Sequence, residues 1–117
     1  MVRQKLCEIQ TAVIKHNKVT ENDVKWAIKN FLDQMNIWNF PIIQGLGSYK
    51  GIPDRFAVYK GVVYGIEVKS PTGKQSDAQV AFQEKWEYNY KNTYILARSV
   101  EDVMKGMGFD GKFTKAV

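Results

Sequence analysis

Apolar residues recur at helical spacing in two long stretches of this chain, and between them they follow the shorter periods of β-strands. Val24, Ile28, Phe31, Leu32 and Met35 fall on one side of a 3.6-residue repeat. Thr20 stands before them with Asp23 three residues on, an arrangement that resembles a capping box. A helix is expected over Glu21 to Met35, with Glu21 in its first turn. Ser76 and Gln79 form a second such box, and Ala78, Phe82, Trp86 and Tyr90 follow at every fourth residue. This predicts a helix over Asp77 to Lys91, its aromatic row packed into the core. Leu6, Ile9, Val13 and Ile14 give a weaker helical pattern within Met1 to Asn17.

Ile37 to Gln44 is apolar and β-prone but carries Pro41, which suits an edge strand or a bend. A glycine-rich loop, Gly45 to Gly51, leads into Ile52-Pro53-Asp54. Arg55 to Tyr59 and Val62 to Lys69 favour strands, and the intervening Lys60-Gly61 suits a tight hairpin because glycine takes positive φ readily. Ser70 to Ser76 is a polar loop, Thr93 to Ala97 reads as a buried strand, and Val100 to Gly106 as a short helix. The expected order is α-α-β-β-β-α-β-α, an α/β fold with a mixed sheet flanked by helices.

Composition narrows the chemistry. The 117 residues suit one domain, and 44% of them are hydrophobic, enough for a real core. No apolar run approaches membrane-spanning length, and no secretion leader opens the chain, so a cytoplasmic protein without membrane partners is expected. Compactness leans toward a bacterial or phage source. Cys7 and His16 are the only cysteine and histidine, which excludes thiolate or His-rich metal sites. Any metal must be held by oxygen, which points to Mg²⁺, Mn²⁺ or Ca²⁺. A net charge of +5 and a pI near 9.3 favour polyanionic partners.

The candidate chemistry lies in the hairpin. Side chains alternate along a strand, so Ile66 and Val68 face one side while Glu67 and Lys69 face the other, roughly 7 Å apart. If Lys60 and Gly61 are the two turn residues, Tyr59 pairs with Val62, and counting back sets Asp54 directly opposite Glu67. Opposed residues share a face with Cβ atoms about 4.5–5.5 Å apart. Two carboxylates that close repel unless a proton or cation lies between them. A divalent ion held by Asp54 and Glu67 suits phosphodiester chemistry, with Lys69 beside it to orient water or stabilise charge on phosphate. A three-residue turn would instead set Asp54 against Ile66. A surface ion pair of Glu67 with Lys69 is the plainer alternative.

Pro53-Asp54 followed by Glu67-Val68-Lys69 resembles the PD-(D/E)xK nuclease superfamily, of restriction-endonuclease-like fold and core order α-β-β-β-α-β. Gly51-Ile52-Pro53-Asp54, Ile66-Glu67-Val68-Lys69, Gly73-Lys74-Gln75-Ser76, Gln79 and Ser99-Val100-Glu101-Asp102-Val103 are similar to the VRR-NUC (virus-type replication-repair nuclease) family. The likeness covers Thr20 to Val103. It implies a nuclease domain over 20–117; the extension over 1–19 lies outside the likeness, and its role is open between a dimerisation arm and an extra packing helix. It further implies metal ligation by Asp54, Glu67 and the Val68 carbonyl, with Lys69 as the water-orienting or charge-stabilising base. Glu21 would reach the metal through water, or else act only as a first-turn acid favoured by the helix dipole. Gln79 would stand near the active site, in addition to or instead of capping its helix. The implied activity is Mg²⁺-dependent cleavage of DNA, Mn²⁺ substituting, with a homodimer acting on branched DNA such as Holliday junctions.

Lys50, Arg55, Lys74 and Lys85 are candidates to line the DNA path. Trp86 and Tyr90 can stack on bases, but their spacing with Phe82 favours the core. Gly45, Gly47 and Gly51 permit close approach of a phosphate, or simply a flexible loop; Tyr94 faces either core or site. A non-cleaving basic DNA-binding module and a metal-dependent RNA nuclease are the rival readings.

Overall fold

The computed structural model describes residues 18–45 and 47–109. The helical pattern within Met1 to Asn17, with Cys7 and His16, lies outside the described residues. Helix α1 (Glu21–Gln34) is followed by strands β1 (Trp38–Pro41), β2 (Arg55–Tyr59) and β3 (Val62–Val68). Helix α2 (Asp77–Glu84) runs on into a π-helical turn, Lys85–Asn89, before strand β4 (Thr93–Ala97) and helix α3 (Val100–Gly106). The four strands form one mixed sheet in the order β1-β2-β3-β4: the first three are antiparallel, and β3 and β4 are parallel. A mixed sheet flanked by helices is as expected.

Local chemistry accounts for the boundaries. The Thr20 hydroxyl accepts from the Asp23 N–H at 3.1 Å, and Asp23 returns a carboxylate to the Thr20 N–H at 3.0 Å, so the box closes in both directions. Asn36 at φ 60 ends α1, while the Ile37 N–H reaches back to the Leu32 carbonyl. Lys60 and Gly61 take φ of 50 and 79, the two left-handed residues of a type I′ turn. Tyr59 therefore pairs with Val62 and Arg55 with Ile66, the two-residue register. The edge strand is shorter than Ile37 to Gln44, because Pro41 ends the ladder and only the Ile42 N–H continues, to the Asp54 carbonyl at 2.8 Å.

The core lies on one face of the sheet. Val24, Ile28, Phe31 and Leu32 of α1 pack on Ala57, Tyr64, Ile66, Val68, Ile95 and Ala97, with Val100 and Val103 of α3 closing the layer. Each fully buried large apolar side chain there contributes about 1.5–3 kcal/mol.

The other face is covered less completely. Rings run in contact from Trp38 through Phe40, Phe56, Trp86 and Phe82 to Tyr49, with centroids 5.2–6.0 Å apart. The expectation of a buried aromatic row on α2 holds only in part. Phe82 and Trp86 are half-buried, and Trp86 Nε1 donates to the Thr93 carbonyl at 2.7 Å. Tyr90 remains 66% exposed, because the helix ends there and the row ends with it. Among the described residues no helix is long and apolar enough to cross a membrane.

Candidate active site

Continuing the hairpin register one step beyond Arg55 and Ile66 sets Asp54 against Glu67 at the open end of β2 and β3. Asp54 also does the work of a missing strand residue. Its Oδ2 accepts the Val68 N–H at 2.7 Å, while Pro53, next in the same register, has no N–H to give the ladder. One residue's N–H and C=O point to the same side of a strand, so the Val68 carbonyl opens toward Asp54 as well.

Glu67 is 1% exposed, so the ion pair it makes with Lys69 is formed but does not lie on an exposed strand face. Its Oε2 accepts from Gln79 Nε2 at 2.8 Å and lies 3.6 Å from Lys69 Nζ, while Oε1 is buried with no hydrogen-bond partner. Burial, then the neighbouring charge of Asp54, push the Glu67 carboxyl up to about 8, and Lys69 offsets only part of this. A carboxylate removed from water and set against a second one is costly unless a cation or proton joins them.

Gln79 serves two partners at once. Its Oε1 accepts the Ser76 N–H at 2.8 Å, completing the capping box of α2, and its Nε2 holds Glu67. Gly51 brings this helix close. A Cβ there would lie 2.1 Å from the Ala78 carbonyl oxygen, and φ is +81, so close packing against α2 fixes this glycine rather than loop flexibility. Tyr94, opposite Gly65 on β4, faces the site side of the sheet. Its hydroxyl accepts from Gln75 Nε2 at 3.1 Å, and burial and the charge of Glu67 raise its pKa, so it stays a neutral phenol.

Two site contacts have no counterpart in the sequence reading. Lys25 Nζ stands 3.5 Å from Asp54 Oδ1 and 3.1 Å from Glu21 Oε2. Burial pulls its pKa down, but hydrogen bonds and charge from the two carboxylates outweigh this and hold it above the ordinary lysine value. The four-residue spacing of Glu21 and Lys25 was the available signal. Arg98 Nη1 donates to the carbonyls of Ser70 at 2.8 Å and Gly73 at 2.5 Å, pinning the loop that follows the active strand. No local pattern marks that arginine.

The remaining candidates divide. Glu21 approaches Asp54 only across Lys25, and among the described residues no three His, Cys, Asp or Glu side chains converge. Arg55 stands opposite Ile66, on the core face, and donates to Asn39 Oδ1 at 2.6 Å; it does not share the face of Glu67, contrary to its place among the residues expected along the DNA path. Lys50, Lys74 and Lys85 are exposed, Lys85 lying 3.2 Å from the Tyr49 hydroxyl.

The oxygens of Asp54 and Glu67 are of the kind that could hold a hard divalent cation, with the Val68 carbonyl as the third candidate. Mg²⁺ takes one or two carboxylates and leaves other positions to water or phosphate oxygens, and the partnerless buried Oε1 of Glu67 is an oxygen suited to it. No family model, curated protein or solved structure matches this chain.

Proposed function

We propose that the protein is a metal-dependent DNA endonuclease of restriction-endonuclease-like fold, similar to the VRR-NUC family of PD-(D/E)xK nucleases. The observation that carries this reading is the meeting of half-buried Asp54 with buried Glu67 at the hairpin end, with Lys69 3.6 Å from the Glu67 carboxylate. Asp54, Glu67 and the Val68 carbonyl would hold Mg²⁺ or Mn²⁺. When bound, such an ion polarises a phosphodiester and acidifies water.

The chain's own groups do the rest. Gln79 fixes one oxygen of Glu67, and the Val68 N–H fixes one oxygen of Asp54, so neither carboxylate loses orientation during turnover. The Lys69 ammonium orients the attacking water or stabilises charge on the phosphate. The net charge of +5 and the exposed Lys50, Lys74 and Lys85 favour a nucleic-acid backbone. Branched DNA as the preferred substrate and a homodimer as the working form come from the family resemblance.

Labelled four-way junction, flap, linear duplex and single-stranded RNA, each incubated in Mg²⁺ or EDTA, test the reading. Paired nicks in the junction that need metal and vanish in Asp54→Ala are expected. Cleavage of RNA alone would make it an RNA nuclease. Binding without cleavage in both Mg²⁺ and Mn²⁺ would make it a non-cleaving module.

A further inference from the structure

Both oxygens of Asp54 are engaged. Oδ2 accepts the Val68 N–H at 2.7 Å, and Oδ1 faces the Lys25 ammonium at 3.5 Å. That ammonium is closer still to Glu21 Oε2, at 3.1 Å, one helical turn back along α1. A single positive charge therefore bridges the helix carboxylate and the hairpin carboxylate. A divalent cation gripped by Asp54 would meet it as a like charge a few ångströms away, a distance at which repulsion is substantial even near the surface. Lysine suits a change of position: its stem is flexible, its charge is a point charge, and here its side chain is 41% exposed.

We propose that Lys25 is the resident counter-ion of Asp54, neutralising it in the metal-free protein and withdrawing onto Glu21 when a divalent cation binds. Glu21 then acts on the site through Lys25, as a positioning residue, and is not a ligand, directly or through water. The inference rests on the metal-site reading above. It assigns the acidic residue of the first helix a different task from the one its resemblance implies, and it explains why Glu21 stands beyond an ammonium rather than beside the other carboxylates.

Calorimetric titration of Mn²⁺ into wild type, Lys25→Met, Glu21→Gln and the double variant tests it. Lys25→Met should tighten Mn²⁺ binding by about tenfold, since a competing charge is gone. Glu21→Gln should weaken binding, because Lys25 loses its refuge and stays on Asp54. In the Lys25→Met background the same Glu21 change should leave affinity within about twofold, the signature of action through a shared partner. Unchanged or weaker binding in Lys25→Met overturns the proposal, and so does an equal loss from Glu21→Gln in both backgrounds. If wild type binds no Mn²⁺, the metal-site reading itself fails and takes this inference with it. The unaltered protein gives an independent check. Lysine side-chain NMR signals followed during a Mg²⁺ titration should show Lys25 shifting with the affinity of the site, and a stationary Lys25 while Mg²⁺ binds contradicts the withdrawal.

Discussion

Ile66 and Glu67 are neighbours in one strand, both almost fully buried, yet they face opposite environments. On the Ile66 side, α1 and α3 close a dry aliphatic layer in which Ile28, Phe31, Leu32 and Ala57 have no exposure. On the Glu67 side, α2 contributes no fully buried residue, and the covering is a row of half-exposed rings. The first face supplies stability. The second tolerates a strained carboxylate pair because the first holds the hairpin beneath it in register. The difference shows that burial alone does not make a core: Glu67 is as buried as its apolar neighbours and stands among Gln79, Lys69 and Asp54.

The contrast can be broken most forcefully from the core side. Phe31→Ala should cost about 3–5 kcal/mol in chemical denaturation, the usual toll for emptying a packed aromatic site. An equal loss from Phe82→Ala would show that the two faces share the load.

The next effect concerns pH in the metal-free protein. Glu67 titrates at about 8 in the fold, against an ordinary 4.5. Between those values the folded chain retains a proton that the unfolded chain has released. Stability contributed by the protonated carboxyl is therefore complete below about 4.5 and is lost as pH rises through about 8. Melting temperature should fall across this window in wild type. Glu67→Gln should remove most of that slope, and an unchanged slope would place the titrating group elsewhere.

Gly51→Ala comes next in size. The new methyl would collide with the Ala78 carbonyl at a positive φ, so a loss of about 1–3 kcal/mol is expected, with weakened cleavage as α2 and Gln79 shift. Trp38→Ala should matter least. At 68% exposure its loss should stay within about 0.5 kcal/mol, and a larger change by calorimetry would mean that the outer face packs more tightly than its exposure indicates.

Much of the hairpin could be read in advance, because two turn residues and a period of two determine which side chains oppose each other. Lys60 and Gly61 were sufficient to bring Asp54 to Glu67. The helix starts were legible for a similar reason: Thr20 and Ser76 cap locally. What escaped depends on how elements cross in space. Lys25 reaches Asp54 only because α1 lies over the open end of the hairpin, and nothing in its own segment says so. Arg98 clamps Ser70 and Gly73 across more than twenty residues of chain. Arg55 was expected among the DNA-path residues, but strand alternation turns it toward the core face beside Asn39. The depth of Glu67 was also hidden, since a carboxylate in an unaligned sequence is first taken to be exposed.

Anomalous scattering from a crystal soaked in Mn²⁺ tests the central claim most directly. One peak should appear between the carboxylates, coordinated by an oxygen from each of Asp54 and Glu67, and it should disappear in Asp54→Asn. Two carboxylates turned apart with no manganese between them would contradict the assignment of this hairpin end as a metal centre.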